Sequence, residues 1–321
     1  MTSQQRLQTG LAQGLIQFDA EQKNINYRSC NKNYRYSDPE EKVRAQVYLK
    51  LILHYGYAPE RIDLEVKVPH RTPNNIADIV VFSDDGLKTP HIVVECKQPD
   101  ISEAEFKQAI EQGFGNANSI KAPFLWVTSE LKEDFFDVAS SGSMEREANR
   151  IADIPHFGKD KANSWKFTRG GVDGIELEVV EQNTLTQIFR KAHDALWAGG
   201  KRNPAEAFDE LSKLIFCKIS DERELRKVGE PYQFQICTGE PKEALLTRLK
   251  ALYEKGRLKD AEVFKDDIRL TAAELQTVVS YLAPIHFNKT DLDSKGRALE
   301  TFMGDFFRGE FGQYFTPRPI V

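Results

Sequence analysis

The sequence predicts an α/β domain, a mixed sheet flanked by helices, followed by a mainly α-helical domain. Three observations predict it. Apolar and polar residues alternate in short runs between residues 62 and 128, with one helical pattern set among them. From about residue 182 the helical period takes over. The 321 residues also exceed what one ordinary core organises, so two domains are expected.

The elements follow in chain order. Residues 1–36 are polar and carry no clear period, which predicts an N-terminal arm. A helix begins at Ser37-Asp38-Pro39-Glu40, with Pro in its first turn. Val43, Val47, Tyr48, Leu51, Ile52 and Tyr55 form its apolar stripe. Glu40 and Arg44 fall within the same sector, an odd place for charges unless something pairs with them. Ile62, Leu64, Val66 and Val68 then alternate with Asp63, Glu65 and Lys67, as a half-buried strand does. Two further strands are expected at 76–82 and 91–97, with a turn at Asp84-Asp85-Gly86 between them. A capping box, Ser102 with Glu105, opens a helix whose apolar face holds Phe106, Ala109, Ile110, Gly113, Ala117 and Ile120. Strands at 124–128 and 175–180 close the α/β domain, which is bounded at 37–180. Helices are expected at 185–197, 205–219, 242–253, 272–282 and 296–307, within a helical domain spanning 181–308.

Composition narrows the function classes. A chain that is 40% hydrophobic and 29% charged is that of a soluble globular protein. No apolar run approaches the ~18 residues of a membrane span, and the N-terminus lacks the basic-then-apolar order of a secretory signal. Cys30, Cys96, Cys217 and Cys237 are scattered, without the close pairs of a zinc site, and are expected as reduced thiols in a cytoplasmic protein. The net charge of −5 does not advertise a nucleic-acid binder, so any DNA contact requires a local basic face.

The chemistry concentrates on two strands. A period of two puts Glu95 and Lys97 on one face of the 91–97 strand, with Cys96 facing the other way. Asp78 lies on the preceding strand among Ile76, Ala77, Ile79 and Val80. Three ionisable side chains in apolar strands are costly unless paired or bound to metal. Phosphodiester hydrolysis accounts for all three: two carboxylates suit Mg²⁺, and the lysine orients a water and balances charge on the phosphate. The bland alternative is an ion pair at a sheet edge, Lys97 with Glu95 or Asp78.

The run 39–129 resembles the N-terminal nuclease domain of type I restriction enzyme R subunits, of the PD-(D/E)xK type. The matching pieces are Pro39-Glu40-Glu41-Lys42-Val43-Arg44, Ala77-Asp78-Ile79-Val80-Val81-Phe82, Val93-Val94-Glu95-Cys96-Lys97 and Lys121-Ala122-Pro123-Phe124-Leu125-Trp126-Val127-Thr128. The resemblance implies a restriction-endonuclease-like fold, with Asp78 and Glu95 holding Mg²⁺ and Asp78, Glu95 and Lys97 as the catalytic set. It also implies a Gln-x-x-x-Tyr element on the following helix. Gln112 fits its Gln, and Asn116 stands in place of the Tyr. Both lie beside the apolar stripe, where a residue either reaches toward a site or edges into solvent. Glu40 or Glu41 either adds a carboxylate near the metal or, as Glu40, pairs with Arg44 within the helix. His91 is either a buried or edge histidine or a ligand, and the Cys96 side chain belongs to the core while its backbone carbonyl is a further candidate to reach the metal.

The last residues, Gly309-Glu310-Phe311-Gly312-Gln313-Tyr314-Phe315-Thr316-Pro317-Arg318, are similar to the segment opening the catalytic domain of type I adenine-N6 DNA methyltransferases. Helical stretches such as 207–216 and 293–300 resemble the region before it. That resemblance implies that 309–321 begins a methyltransferase domain, in which Tyr314, Phe315, Thr316 and Pro317 lie against S-adenosylmethionine. The glycine-rich cofactor loop and the Asn/Asp-Pro-Pro-Tyr/Phe motif do not follow, so cofactor binding is expected only in a longer, fused restriction-modification protein. Double-stranded DNA and a specificity subunit or domain are the implied partners, and host defence the implied role. An inactive nuclease-fold module for DNA binding or assembly is the alternative.

Overall fold

The computed structural model describes residues 3–30, 32–69, 75–139, 146–159, 161, 163–172, 174–197, 203–258, 266–290, 295–298 and 300. The chain divides into two compact units, Met1–Lys166 with Ile236–Pro241, and Phe167–Gln235 with Lys242–Val321.

The first unit begins with structure where an arm was expected. Helix α1 (Ser3–Ala12) leads into β1 (Ile16–Phe18), β2 (Asn24–Tyr27) and β3 (Asn33–Arg35), an antiparallel meander. These strands are too short and too polar to register as a period, yet Ile16, Ile25 and Tyr27 are fully buried. Helix α2 (Pro39–Leu53) follows, its Asp38 cap accepting the Glu40 N–H at 3.1 Å and its Pro39 needing no donor. Helix α1 lies close against it: a Cβ on Gly10 would come within 2.5 Å of Leu49 Cδ2. Arg6 donates to Gln46 Oε1 at 2.7 Å across the same pair of helices.

Six strands form the main sheet in the order β4 (Ile62–Val68), β5 (Asn75–Phe82), β6 (Pro90–Cys96), β7 (Phe124–Thr128), β8 (Glu133–Asp137) and β9 (Arg150–Ile151). Every neighbouring pair is antiparallel except β6 with β7. A parallel pair needs a crossover, and α3 (Glu103–Ile120), opened by the Ser102 capping box, supplies it. Two apolar clusters, one on each face, sandwich the sheet. Val43, Val47, Tyr48 and Leu51 of α2 pack with Ile79, Ile92, Val94 and Trp126. Phe106, Ala109, Phe114 and Ala117 of α3 pack with Val80, Val93, Leu125 and Val127.

One regularity expected from the sequence breaks. Ile62, Leu64, Val66 and Val68 do not share a face. Ile62 and Leu64 join the α2-side cluster, whereas Val68, with Val66 packed beside it, joins the α3 side. The switch occurs at Glu65, whose φ of 52° is left-handed. Its neighbour on β5 switches too, with Ala77 on the α3 side and Ile79 on the α2 side. The ladder pairs Leu64 with Ile79 and Val66 with Ala77, passing over Glu65 and Asp78 between them. Both strands therefore reverse their faces at Asp78, as they do across a bulge.

The sheet closes with β8 and β9, not with residues 175–180. Those residues belong to the second unit and make only isolated bridges, Ile175 with Phe167 and Glu178 with Ile285. The division between the units accordingly precedes residue 180, and a short segment returns. Within the first unit Thr238 Oγ1 accepts from Ala152 N–H at 2.9 Å and donates to Asn163 O at 2.7 Å, while its own N–H bonds Ser164 O. Thr238→Val is expected to destabilise this unit by about 1–3 kcal/mol, because a backbone donor loses its acceptor. Urea unfolding followed by circular dichroism measures it; an unchanged midpoint would mean that the Thr238 hydroxyl contributes nothing.

The second unit is helical: α4 (Gln182–Trp197), α5 (Pro204–Arg223), α6 (Lys242–Arg257) and α7 (Ala272–Leu282). Lys218 on α5 is fully buried, donating to Ala283 O at 3.0 Å beside Glu222. Glu222 in turn accepts the N–H groups of Phe287 and Asn288. Of the helix expected at 296–307, residues 295–298 and 300 are helical and 301–307 lie outside the described residues. Tyr314, Phe315, Thr316 and Pro317 lie outside them as well. No helix among the described residues is long and apolar enough to cross a membrane.

Candidate active site

Asp78, Glu95 and Lys97 meet where the β5–β6 ladder ends. Its last pair at that end is Ile79 with Val94. One step on, the Asp78 side chain takes over from the backbone: its Oδ2 accepts the Cys96 N–H at 2.7 Å. Strand β6 stops at Cys96, one residue short of the expected strand, but Lys97 keeps the alignment by donating its N–H to Thr128 O at 2.8 Å. Lys97 is half-buried there, and Cys96 turns into the α2-side core.

Glu95 is the most constrained member. It is 0% exposed, on the side that α3 covers. Its Oε1 accepts from Asn116 Nδ2 at 2.6 Å, and its Oε2 is buried with no hydrogen-bond partner among the described residues. Burial first, and the neighbouring Asp78 second, push the Glu95 carboxyl up to about 8, against the opposing pull of Asn116 and Lys97. Gly113 makes the approach of α3 possible. A Cβ there would stand 2.6 Å from Leu125 Cδ1 and 3.1 Å from Glu95 Cγ, so a larger residue would lift the helix and carry Asn116 with it.

A second set of charges lies on the α2 side. Arg44 bonds Glu41 Oε2 at 2.9 Å and reaches Glu65 Oε1 and Asp78 Oδ1, both at 3.4 Å. Its guanidinium also sits 5.2 Å from the centre of the Tyr34 ring. Glu41 accepts a short hydrogen bond from Tyr27 OH, and burial pushes its carboxyl up to about 7. Arg44 is therefore paired with Glu41, not with Glu40 as an i,i+4 pair. Positions three and four apart are equally reachable on a helix, and here the more buried carboxylate takes the arginine. Glu40 is half-buried and faces the site electrostatically. Burial raises its carboxyl, Lys97 lowers it and Asp78 raises it.

The structure thus brings Asp78 and Glu95 together with Lys97 close by, and it adds Arg44, Asn116 and Glu65. Sequence signals existed for two of these. Arg44 was a charge inside an apolar stripe, and Asn116 stood at the edge of one. Asn116 is fully buried and not a solvated helix edge. Nothing in the sequence marks Glu65, because the alternation runs through it unbroken. Gln112 lies one turn before Asn116 on α3 and is half-buried. His91 belongs to an aromatic edge at the other end of β6, 5.3 Å from the Phe124 ring and 6.2 Å from that of Tyr57.

Two carboxylates at a strand end, one with a buried oxygen that no described residue satisfies, are a donor set for a hard divalent cation. The backing by Asn116, Arg44 and the Cys96 N–H is the outer support that metal-binding carboxylates usually have. Residues 39–155 match the sequence profile of the family described as Type I restriction enzyme R protein N terminus. The match runs from the start of α2 past β9 and includes Asp78, Glu95, Lys97, Gln112 and Asn116. It covers neither the N-terminal meander nor the helical unit. Comparison with curated proteins found no match to the chain.

Proposed function

We propose that the first unit is a Mg²⁺-dependent endonuclease that hydrolyses DNA phosphodiester bonds, with a restriction-endonuclease-like fold. The observation that carries this reading is the fully buried Oε2 of Glu95 beside Asp78, unpartnered among the described residues. Such an arrangement is unfavourable by itself and becomes favourable around a cation. When bound, the metal would supply Lewis acidity at the phosphate and a more acidic water.

The chain's own residues would do the rest. Asp78 and Glu95 would hold the ion. Asn116 keeps Glu95 Oε1 engaged, which leaves Oε2 as the ligand atom. Arg44 and the Cys96 N–H fix the Asp78 carboxylate from two directions. Lys97 would orient the attacking water and balance charge on the phosphate, and Gln112 would contribute an amide from the neighbouring turn of α3. Double-stranded DNA is the substrate.

The wider assignment rests on the segment 309–321 and the helices before it. In it the chain is part of a restriction-modification enzyme serving host defence, with an adenine-N6 methyltransferase beyond the helical unit. S-adenosylmethionine would be the cofactor of that methyltransferase, and a specificity subunit or domain would choose the site.

Incubation of supercoiled plasmid with the protein tests the nuclease. Nicked and linear forms are expected with Mg²⁺ or Mn²⁺ and not with a chelator. Retarded but uncut plasmid in the presence of either metal would instead support a DNA-binding module without catalysis.

A further inference from the structure

We propose that His54, Asp153 and His156 form a second cation site in the first unit, for a borderline transition metal of the Zn²⁺ class. His54 is the C-cap of α2. Asp153 and His156 lie three residues apart in the segment after β9. One ligand atom from each residue can be chosen so that all three lie within 4.8 Å of one another. Around a tetrahedral Zn²⁺ such atoms stand about 3.3 Å apart, so a modest closure completes the set. Two imidazole nitrogens and one carboxylate oxygen suit Zn²⁺ or Co²⁺ better than Mg²⁺ or Ca²⁺, which prefer oxygen alone.

The surroundings favour coordination. His54 Nε2 is buried with no hydrogen-bond partner among the described residues. Asp153 is already aimed: its Oδ1 accepts from Tyr55 OH at 2.6 Å and from Ile154 N–H at 2.9 Å. Such outer hydrogen bonds are what orient metal-binding carboxylates. Lys166 stands 3.7 Å from the same oxygen, but it and Lys50 are both held by Glu133. An ion here would tie the end of α2 to the segment following β9, and three protein ligands leave one position open. The site does not depend on the nuclease reading, since it shares no residue with Asp78 and Glu95.

The test uses chelator-stripped protein titrated with Co²⁺ and, separately, Zn²⁺. Co²⁺ is expected to give the visible ligand-field bands of a low-symmetry nitrogen–oxygen site, and Zn²⁺ to displace it. Zn²⁺ at a hundredfold excess over Kd should raise Tm by roughly 5 °C or more. Asp78→Ala, which removes the first cation site, should keep both signals, whereas His156→Gln (a half-buried position outside any helix or strand) or His54→Gln added to Asp78→Ala should abolish them. Absence of the bands and of the Tm shift in the wild-type protein would overturn the proposal. So would signals that survive His156→Gln in the Asp78→Ala background, or signals that disappear in Asp78→Ala alone.

Discussion

Asp78→Ala, Glu95→Ala and Lys97→Ala are each expected to lower metal-dependent cleavage of plasmid DNA by about a thousandfold or more, the scale on which single charge-stabilising groups act. The three losses should not be equivalent for the fold. Removing Asp78 strips the Cys96 N–H of its acceptor and Arg44 of one of three carboxylates, at about 1–3 kcal/mol. Asp78→Asn keeps an acceptor in place, so it separates loss of charge from loss of structure. Lys97→Ala leaves the backbone bond to Thr128 intact and should melt near the parent temperature. Initial nicking rates, with circular dichroism melts alongside, measure both effects. A wild-type rate in any of the three would remove that residue from the mechanism.

The second large effect is on stability and runs against the usual pH dependence of carboxylates. In the unfolded chain Glu95 releases its proton near 4.5, whereas in the folded chain it holds it to about 8. Between those values the unfolded state binds fewer protons, so rising pH favours unfolding. The cost accumulates to several kcal/mol at most, at about 1.4 kcal/mol per unit. Metal-free protein is therefore expected to lose stability steadily from about pH 4.5 to about pH 8. Glu41, raised to about 7 by burial, adds a slope of the same sign over the lower part of that range. Glu95→Gln should remove most of the slope and melt higher than the parent at pH 8, despite being inactive in cleavage. Mn²⁺ should rescue the parent at pH 8 and leave Glu95→Gln unmoved. Thermal melts across pH, with chelator and with Mn²⁺, decide it; a parent profile already flat from pH 5 to 8 would mean that Glu95 is not held protonated.

Much of the main sheet was legible in the sequence because its strands are nearly continuous apolar runs and α3 carries its own capping box. What escaped notice has identifiable causes. Strand β8 hides Phe135 and Phe136 between Glu133, Asp134 and Asp137, so its run of apolar residues is only two long. The meander strands are three or four residues each. Residues 175–180 alternate as a strand should, but alternation describes one edge and says nothing of whether a partner lies beside it. Of the candidate site, the nearness of Asp78, Glu95 and Lys97 on neighbouring strands was readable. The turning of Glu65 into left-handed backbone was not, since it changes one dihedral and no residue type. Nor was the partner of Arg44, because pairing with Glu41 draws on Tyr27, a residue from the segment expected to be an arm.

The link from Tyr27 through Glu41 and Arg44 to Asp78 bears on how such a domain can be inherited. The family match begins at residue 39, so Tyr27 lies outside it while the three residues it supports lie inside. A recombination event that joined a new leader at residue 39 would transplant Glu41 without its phenol. The buried carboxylate would then rely on Arg44 alone, and the arginine that also serves Asp78 would be drawn further toward it. The edge of the family match and the edge of the electrostatic network thus differ, and a leader joined at residue 39 would keep the network whole only by supplying a hydroxyl at the same place.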